Sequence, residues 1–115
     1  MEALVLDLPV EAPELVLYRG DDRVQEYVLS SAGVPVETTG WDLVCQVRRQ
    51  SPSRLVNVPV SSPAPGRIVL TFPAALFSEL GYGGRFDVEG KQGDTILTFI
   101  RGVLRVTDDV TRREP

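Results

Sequence analysis

Between Leu15 and Val106 the chain is cut at short intervals by clusters of glycine, proline, serine and aspartate, and between the cuts apolar side chains fall on alternate positions. Successive side chains of an extended strand point to opposite faces, so such a segment buries one face and wets the other. In "WDLVCQVR" Trp41, Leu43, Cys45 and Val47 share one side, and Asp42, Gln46 and Arg48 share the other. The same reading predicts strands over Leu15–Tyr18, Val24–Leu29, Trp41–Arg48, Leu55–Val60, Arg67–Phe72, Gly84–Glu89 and Thr95–Val106. The interruptions "SSAGVPVETTG", "RQSPS", "SSPAPG" and "GKQGD" are read as turns. Short strands at this spacing predict an antiparallel sandwich or barrel.

The last segment, "TILTFIRGVLRV", changes phase midway, and Gly102 is expected to mark a bend or bulge, or a corner that splits the stretch into two pairings. The one helical candidate runs from Pro73 to Gly84, with proline at its start and Gly81 just past its end. Leu76, Phe77 and Leu80 at helical spacing are expected to plug one end of the sandwich, followed by a wide turn that leaves Tyr82 exposed. The organisation that follows is an extended arm over residues 1–13, a sandwich over 14–107 and a tail over 108–115. The arm alternates Leu4, Leu6, Leu8 and Val10 before two prolines interrupt it. It suits strand addition to a neighbouring subunit or packing on its own domain.

A chain of 115 residues makes about one domain and needs no covalent staple. Its net charge of −4 lacks the basic footprint of a nucleic-acid binder. The N-terminal stretch is broken by Asp7 and Pro9, and no apolar run approaches the length of about eighteen residues that spans a membrane. The expectation is a soluble chain without nucleic-acid or membrane partners.

The chemistry of enzymes is thinly represented. There is no histidine, which removes Ser-His-Asp and Cys-His catalysis and the usual zinc sites, and the lone Cys45 falls within core-facing alternation. The acidic pairs Asp21–Asp22 and Asp108–Asp109 lack the alternating frame of a calcium loop, and Asp87 and Glu89 lie two apart on one strand face. No catalytic residue, cofactor or metal is expected. Trp41, Tyr18, Tyr27 and Tyr82 are the side chains able to stack on a sugar, so a carbohydrate- or receptor-binding sandwich remains the alternative from another class.

The triplet Arg19-Gly20-Asp21 in "VLYRGDDRVQEYVLS" resembles an adhesion signal, but it lies between two extended segments. It reads as a hairpin corner: Gly20 supplies the positive backbone angle and Asp21 hydrogen-bonds the backbone just after it.

With the segments in order, "LYRGDD", "GVPVETTGWDLVCQVRR", "GRIVLTF", a short helix, "GGRFDVEG", "KQGDT" and "RGVLRVTDDVTR" form a recognisable series. The series resembles the small immunoglobulin-like β-sandwich domains of tailed-bacteriophage virion proteins. These include the N-terminal domain of baseplate upper proteins and short minor tail or head-associated proteins. The resemblance covers roughly Leu15 to Arg112; "VETTGW" stands where many relatives carry an aspartate-leucine-threonine-glycine run, so Glu37 and Thr38 depart from the pattern. It implies an antiparallel immunoglobulin-like sandwich of about seven or eight strands with one short helix. It also implies that Arg19 makes an ion pair across strands.

The function implied is that of a non-enzymatic structural component of the virion, made in the bacterial host cytoplasm. It would be present in several copies or as a homo-oligomer, and docked onto capsid or tail and baseplate subunits. Placement as a capsid decoration protein or as a minor tail or baseplate protein stays open. The contacts expected are the arm residues Leu4, Leu6, Leu8 and Val10, the arginines Arg48, Arg49 and Arg54, and the tail residues Asp108, Asp109, Arg112 and Arg113.

Overall fold

The alternating segments assemble into two sheets whose apolar faces meet. The structure, a computed structural model, describes residues 9–50 and 53–108. The strands are β1 (Val10–Glu11), β2 (Leu15–Tyr18), β3 (Arg23–Val28), β4 (Ser30–Ser31), β5 (Val34–Pro35), β6 (Asp42–Gln50), β7 (Ser53–Val58), β8 (Val60–Ala64), β9 (Arg67–Phe72), β10 (Gly83–Gln92) and β11 (Thr95–Thr107). The larger sheet runs β2–β11–β10–β6–β7, with β1 on the same edge of β11 as β2 but further along it; the smaller sheet runs β3–β9–β8. This is the strand order of an immunoglobulin-like sandwich. Among the described residues nine strands form the two main sheets, the two-residue β1 among them, and the two-residue β4 and β5 pair with each other.

The alternation is preserved in the burial. Cys45 and Val47 of β6, Ile68, Leu70 and Phe72 of β9, and Phe86 and Val88 of β10 are buried between the sheets. Leu15 and Leu17 of β2 and Leu104 and Val106 of β11 extend the same core. Each such side chain contributes about 1.5–3 kcal/mol relative to exposure, which is why the register is fixed: a slip of one residue would turn every one of them to water.

Several expectations need correction. Both β1 and β2 pair with β11 in parallel, so the sandwich is antiparallel except along that edge. The stretch "SSPAPG" is not only a turn, because its first half continues β8, the outer strand of the smaller sheet. Pro63 is accepted in β8 because an edge strand leaves alternate amides without a ladder partner, and Pro65 falls in the turn before β9. Within "SSAGVPVETTG" a small hairpin pairs β4 with β5 around Ala32 and Gly33, both at positive φ.

The irregularity in β11 is at Phe99, not at Gly102. Val88 pairs with Ile100 and Glu89 with Thr98, which leaves Phe99 as the extra residue. The bulge lets Phe99 and Ile100, adjacent in sequence, both turn inward and become fully buried. The phase change read in "TILTFIRGVLRV" is this bulge. Gly102 lies in regular pairing opposite Phe86, and on the other edge of β11 it falls between the pairing with β1 at Ile100 and Arg101 and that with β2 from Leu104 to Thr107, a split into two pairings.

The helix is shorter than its sequence suggests: a 3-10 turn over Ala74–Leu76 leads into a single helical turn, α1 (Phe77–Leu80), ended by Gly81 at φ 60°. Phe77 and Leu80 are buried, as expected of a plug. The turn beyond is tight, since Gly83 already pairs with Arg105 and the Val106 N–H donates to the Tyr82 carbonyl at 3.1 Å. Tyr82 is nevertheless exposed.

Candidate docking surface

The Arg-Gly-Asp corner shows how the two sheets are tied. Gly20 has φ 95° and the Asp21 N–H donates to the Tyr18 carbonyl at 3.2 Å, closing a tight turn. The corner is not a hairpin: β2 belongs to the larger sheet and β3 to the smaller, so the chain crosses between layers here. Arg19 pairs with Asp108 at 3.1 Å and donates to the carbonyls of Gly81 at 2.9 Å and Phe77 at 3.3 Å. Its guanidinium also lies 5.2 Å from the centre of the Tyr82 ring. The carboxylate that takes a backbone amide beyond the corner is that of Asp22, from Ala74 at 2.7 Å. Arg19 is thus spent inside the fold, holding the β2 end to α1 and the end of β11.

The other expected contact residues divide in the same way. Arg49 turns towards α1 and donates through Nη1 to the Glu79 carbonyl at 2.8 Å, while Arg54 pairs with the Glu79 carboxylate at 3.3 Å. Val10 is partly exposed in β1, anchored to β11 by the Ala12 N–H to the Arg101 carbonyl at 2.9 Å and by the Glu11–Arg101 ion pair. Leu4, Leu6 and Leu8 of the arm, and Asp109, Arg112 and Arg113 of the tail, lie outside the described residues. Arg48 is different: it stands exposed on the outer face of the larger sheet.

That face has a definite layout because the strand register fixes it. Leu55, Arg48, Arg85 and Val103 stand side by side across β7, β6, β10 and β11. Two residues along, the next row is Asn57, Gln46, Asp87 and Arg101, with Gln46 donating to Asn57 at 3.0 Å. The third row is Val44, Glu89 and Thr98. Between the first two rows lies a concavity of about 530 Å³, which Glu11 also lines.

The electrostatics of the face are uneven. Arg48 and Arg85 are directly opposite each other on paired strands, an arrangement of like charges that costs stability. Neither makes a hydrogen bond or close ion pair among the described residues. Asp87 sits beside them; burial pushes its carboxyl above the usual carboxylate range, and the nearby Arg48 partly offsets that. Glu89 is exposed at the far end and likewise has no such partner. Three exposed apolar side chains, Val44, Leu55 and Val103, stand among these charges.

Other features of the molecule are structural. The Cys45 thiol is buried and pushed up to about 12 by burial and by Asp87, so it stays protonated. Trp41 packs edge-on against Phe99, ring centres 5.4 Å apart, with its side chain half-buried. Glu37 accepts from the Thr39 hydroxyl at 2.6 Å and the Gly40 N–H at 2.8 Å, which hold its carboxyl below the usual range. Its neighbour Thr38 is fully buried, bonded to Ser62 at 2.6 Å and accepting from the Gly66 N–H at 3.0 Å. Glu37 and Thr38 therefore organise the loop leading into β6.

Arg85, Arg101 and Val103 were not among the residues singled out from sequence. The signal lay in "GGRFDVEGK", whose alternation puts Arg85, Asp87, Glu89 and Lys91 on one face. What sequence alone lacks is the register that sets Arg85 against Arg48.

No protein-family model matches the chain, and no curated protein is significantly similar to it in sequence.

Proposed function

We propose that this protein is a non-enzymatic structural subunit of a tailed-phage virion, made in the host cytoplasm and docked onto capsid or tail and baseplate subunits. The observation that carries the docking reading is the outer face of the larger sheet, where Arg48 and Arg85, without a hydrogen bond or close ion pair among the described residues, stand with exposed Leu55, Val44 and Val103. A face of mixed charge and apolar area suits a protein contact, with arginine as the commonest anchor at such contacts. The virion reading rests on the order of motifs from Leu15 to Arg112, which resembles phage sandwich proteins, and on the sandwich fold. Fold alone leaves function open. The arm adds a second contact: residues before Val10 continue from a strand already placed on the β11 edge.

The test is incorporation. A chain lacking residues 1–8, which keeps β1 and its pairing with β11, is expected to remain folded, with its tryptophan emission unchanged, and to lose its place on particles when it replaces the full chain during phage growth. Full incorporation of the truncated chain overturns the arm contact. Loss of incorporation on changing Arg48 and Arg85 to glutamate tests the sheet face in the same way.

The second reading is a carbohydrate- or receptor-binding module, favoured by Tyr82, which is 74% exposed. Its expected result is glycan binding that Tyr82→Ala abolishes.

A further inference from the structure

The outer face of the larger sheet is complementary to itself. Along β10 the outward side chains are Arg85, Asp87, Glu89 and Lys91, and the unpaired cation and unpaired anion, Arg85 and Glu89, stand four residues apart with Asp87 midway. Four residues of strand span about 13 Å. A two-fold axis lying in the interface, perpendicular to β10 at Asp87, lays β10 antiparallel over its copy. The row of Arg48 and Arg85 then falls over the row of Val44 and Glu89, twice, once on each side of the axis.

We infer that this face is a two-fold interface between two copies of the chain, closed by Arg85 against Glu89 of the second copy in both directions. Arg48 joins the same contact: its stem lies over Val44 of the second copy and its guanidinium turns to the same Glu89, which is the register neighbour of Val44. This arrangement adds a counter-charge to the one that Asp87, beside the opposed pair Arg48–Arg85, supplies within one chain. A contact made by the same patch on both subunits must be self-complementary, and the charge order along β10 meets that requirement. Asp87 meets its own copy at the axis, flanked in register by Gln46 and Arg101.

The second copy is favoured over an acidic peptide because the face carries both halves of the charge pattern. A peptide would answer the arginine row and leave Glu89 without a partner. The face is modest in size. Five strands at about 4.8 Å and six residues at about 3.3 Å give roughly 500 Å² per copy. That is below the ordinary size of a stable interface, and area alone does not set affinity, so association is read across protein concentrations on the order of 10 µM to 1 mM.

The inference deepens the docking reading and rests on it only for its biological setting. Sedimentation equilibrium on the isolated full chain tests it. The mass of the parent protein is expected to rise from 12.6 kDa towards twice that value over this concentration range, and to fall back in high salt. Arg85→Glu and Glu89→Arg each stay monomeric, because each places like charges together. An equimolar mixture of the two associates again as a heterodimer, and the double variant R85E/E89R recovers association in part, because Arg48 of each copy then faces an arginine at position 89 of the other. Both positions are exposed, and circular dichroism checks that each variant is folded. A parent chain that remains at 12.6 kDa throughout, single variants that associate like the parent, or a mixture that fails to recover association overturns the inference. A dimer found in solution together with absence from virions sinks the virion reading alone.

Discussion

Replacing Gly90 by alanine tests the packing on which the larger sheet depends. Gly90 lies buried in β10, between Leu43 of β6 and Leu97 of β11 in register. A methyl group there would stand 2.7 Å from Cε2 of Phe99 and 3.1 and 3.2 Å from Cβ and Cε3 of Trp41. The first distance is shorter than carbon atoms approach, so the Phe99 ring must move. That ring is fully buried and packs edge-on against Trp41 at 5.4 Å. Overpacking of this kind costs about 1–3 kcal/mol, and loss of the aromatic geometry adds about 0.5–1.5 kcal/mol. Alanine returns about 0.5–1 kcal/mol through its smaller backbone entropy in the strand. The net expectation is a loss of about 1–3 kcal/mol, or a fall in Tm of roughly 4–12 °C. Urea unfolding followed by Trp41, the only tryptophan, reads both the stability and the local geometry. In the double variant G90A/F99L the two costs should be less than additive by about 1 kcal/mol, because leucine makes room for the methyl. A Gly90→Ala protein as stable as the parent, with unchanged tryptophan emission, would refute the reasoning.

Three further outcomes follow from other parts of the structure. Ala32 holds φ 53° in the two-residue turn between β4 and β5, followed by Gly33 at φ 80°, and Ala32→Asn is expected to raise stability by about 0.5–1 kcal/mol in urea titrations, since asparagine before glycine suits this turn. Cys45, with its thiol at about 12 and its side chain buried, should react with a disulfide reagent at pH 8 only as fast as the protein unfolds; prompt labelling of the native protein would contradict its placement. Asp87 has a carboxyl raised in the folded protein, so its ionised form opposes folding above that raised value and the opposition fades as pH falls towards the ordinary range. Asp87→Asn should therefore be more stable than the parent at pH 7, with the difference shrinking in acid, measured at concentrations where the chain is monomeric.

The strands were readable where one face is wet and one is dry. In β6, β9 and β10 the alternation of Cys45, Val47, Ile68, Leu70, Phe86 and Val88 with polar residues maps directly onto burial. It failed where tertiary pairing overrides local preference. The prolines of "SSPAPG" argued for a turn, but the outer strand β8 accepts Pro63 as it forms against β9, and only Pro65 and Gly66 make the turn. In β11 a glycine looked like the place for a bulge, whereas the bulge belongs to Phe99, which both facing sheets pull inward. The parallel pairing of β2 with β11 depends on residues far apart in the chain and leaves no local mark.

The surface was less legible for the same reason. Arginine in a strand looks the same whether it is used within the fold or free. Arg19 and Arg49 are absorbed by carbonyls around α1, and Arg48 is free, because of where β6 and α1 sit relative to each other in space. The corner at Gly20 was recognisable from its triplet, yet its role of carrying the chain between sheets appears only once β2 is seen to pair with β11.

The proposal that this is a virion subunit that works by docking is tested most directly by quantitative mass spectrometry on phage particles purified from a culture in which the chain is produced. Heads and tails are separated and the copy number is referred to the major capsid protein. The account predicts a defined, reproducible number of copies in one fraction, with hundreds in heads marking a capsid decoration subunit and a handful to a few dozen in tails marking a tail or baseplate component. Absence from both fractions would contradict it.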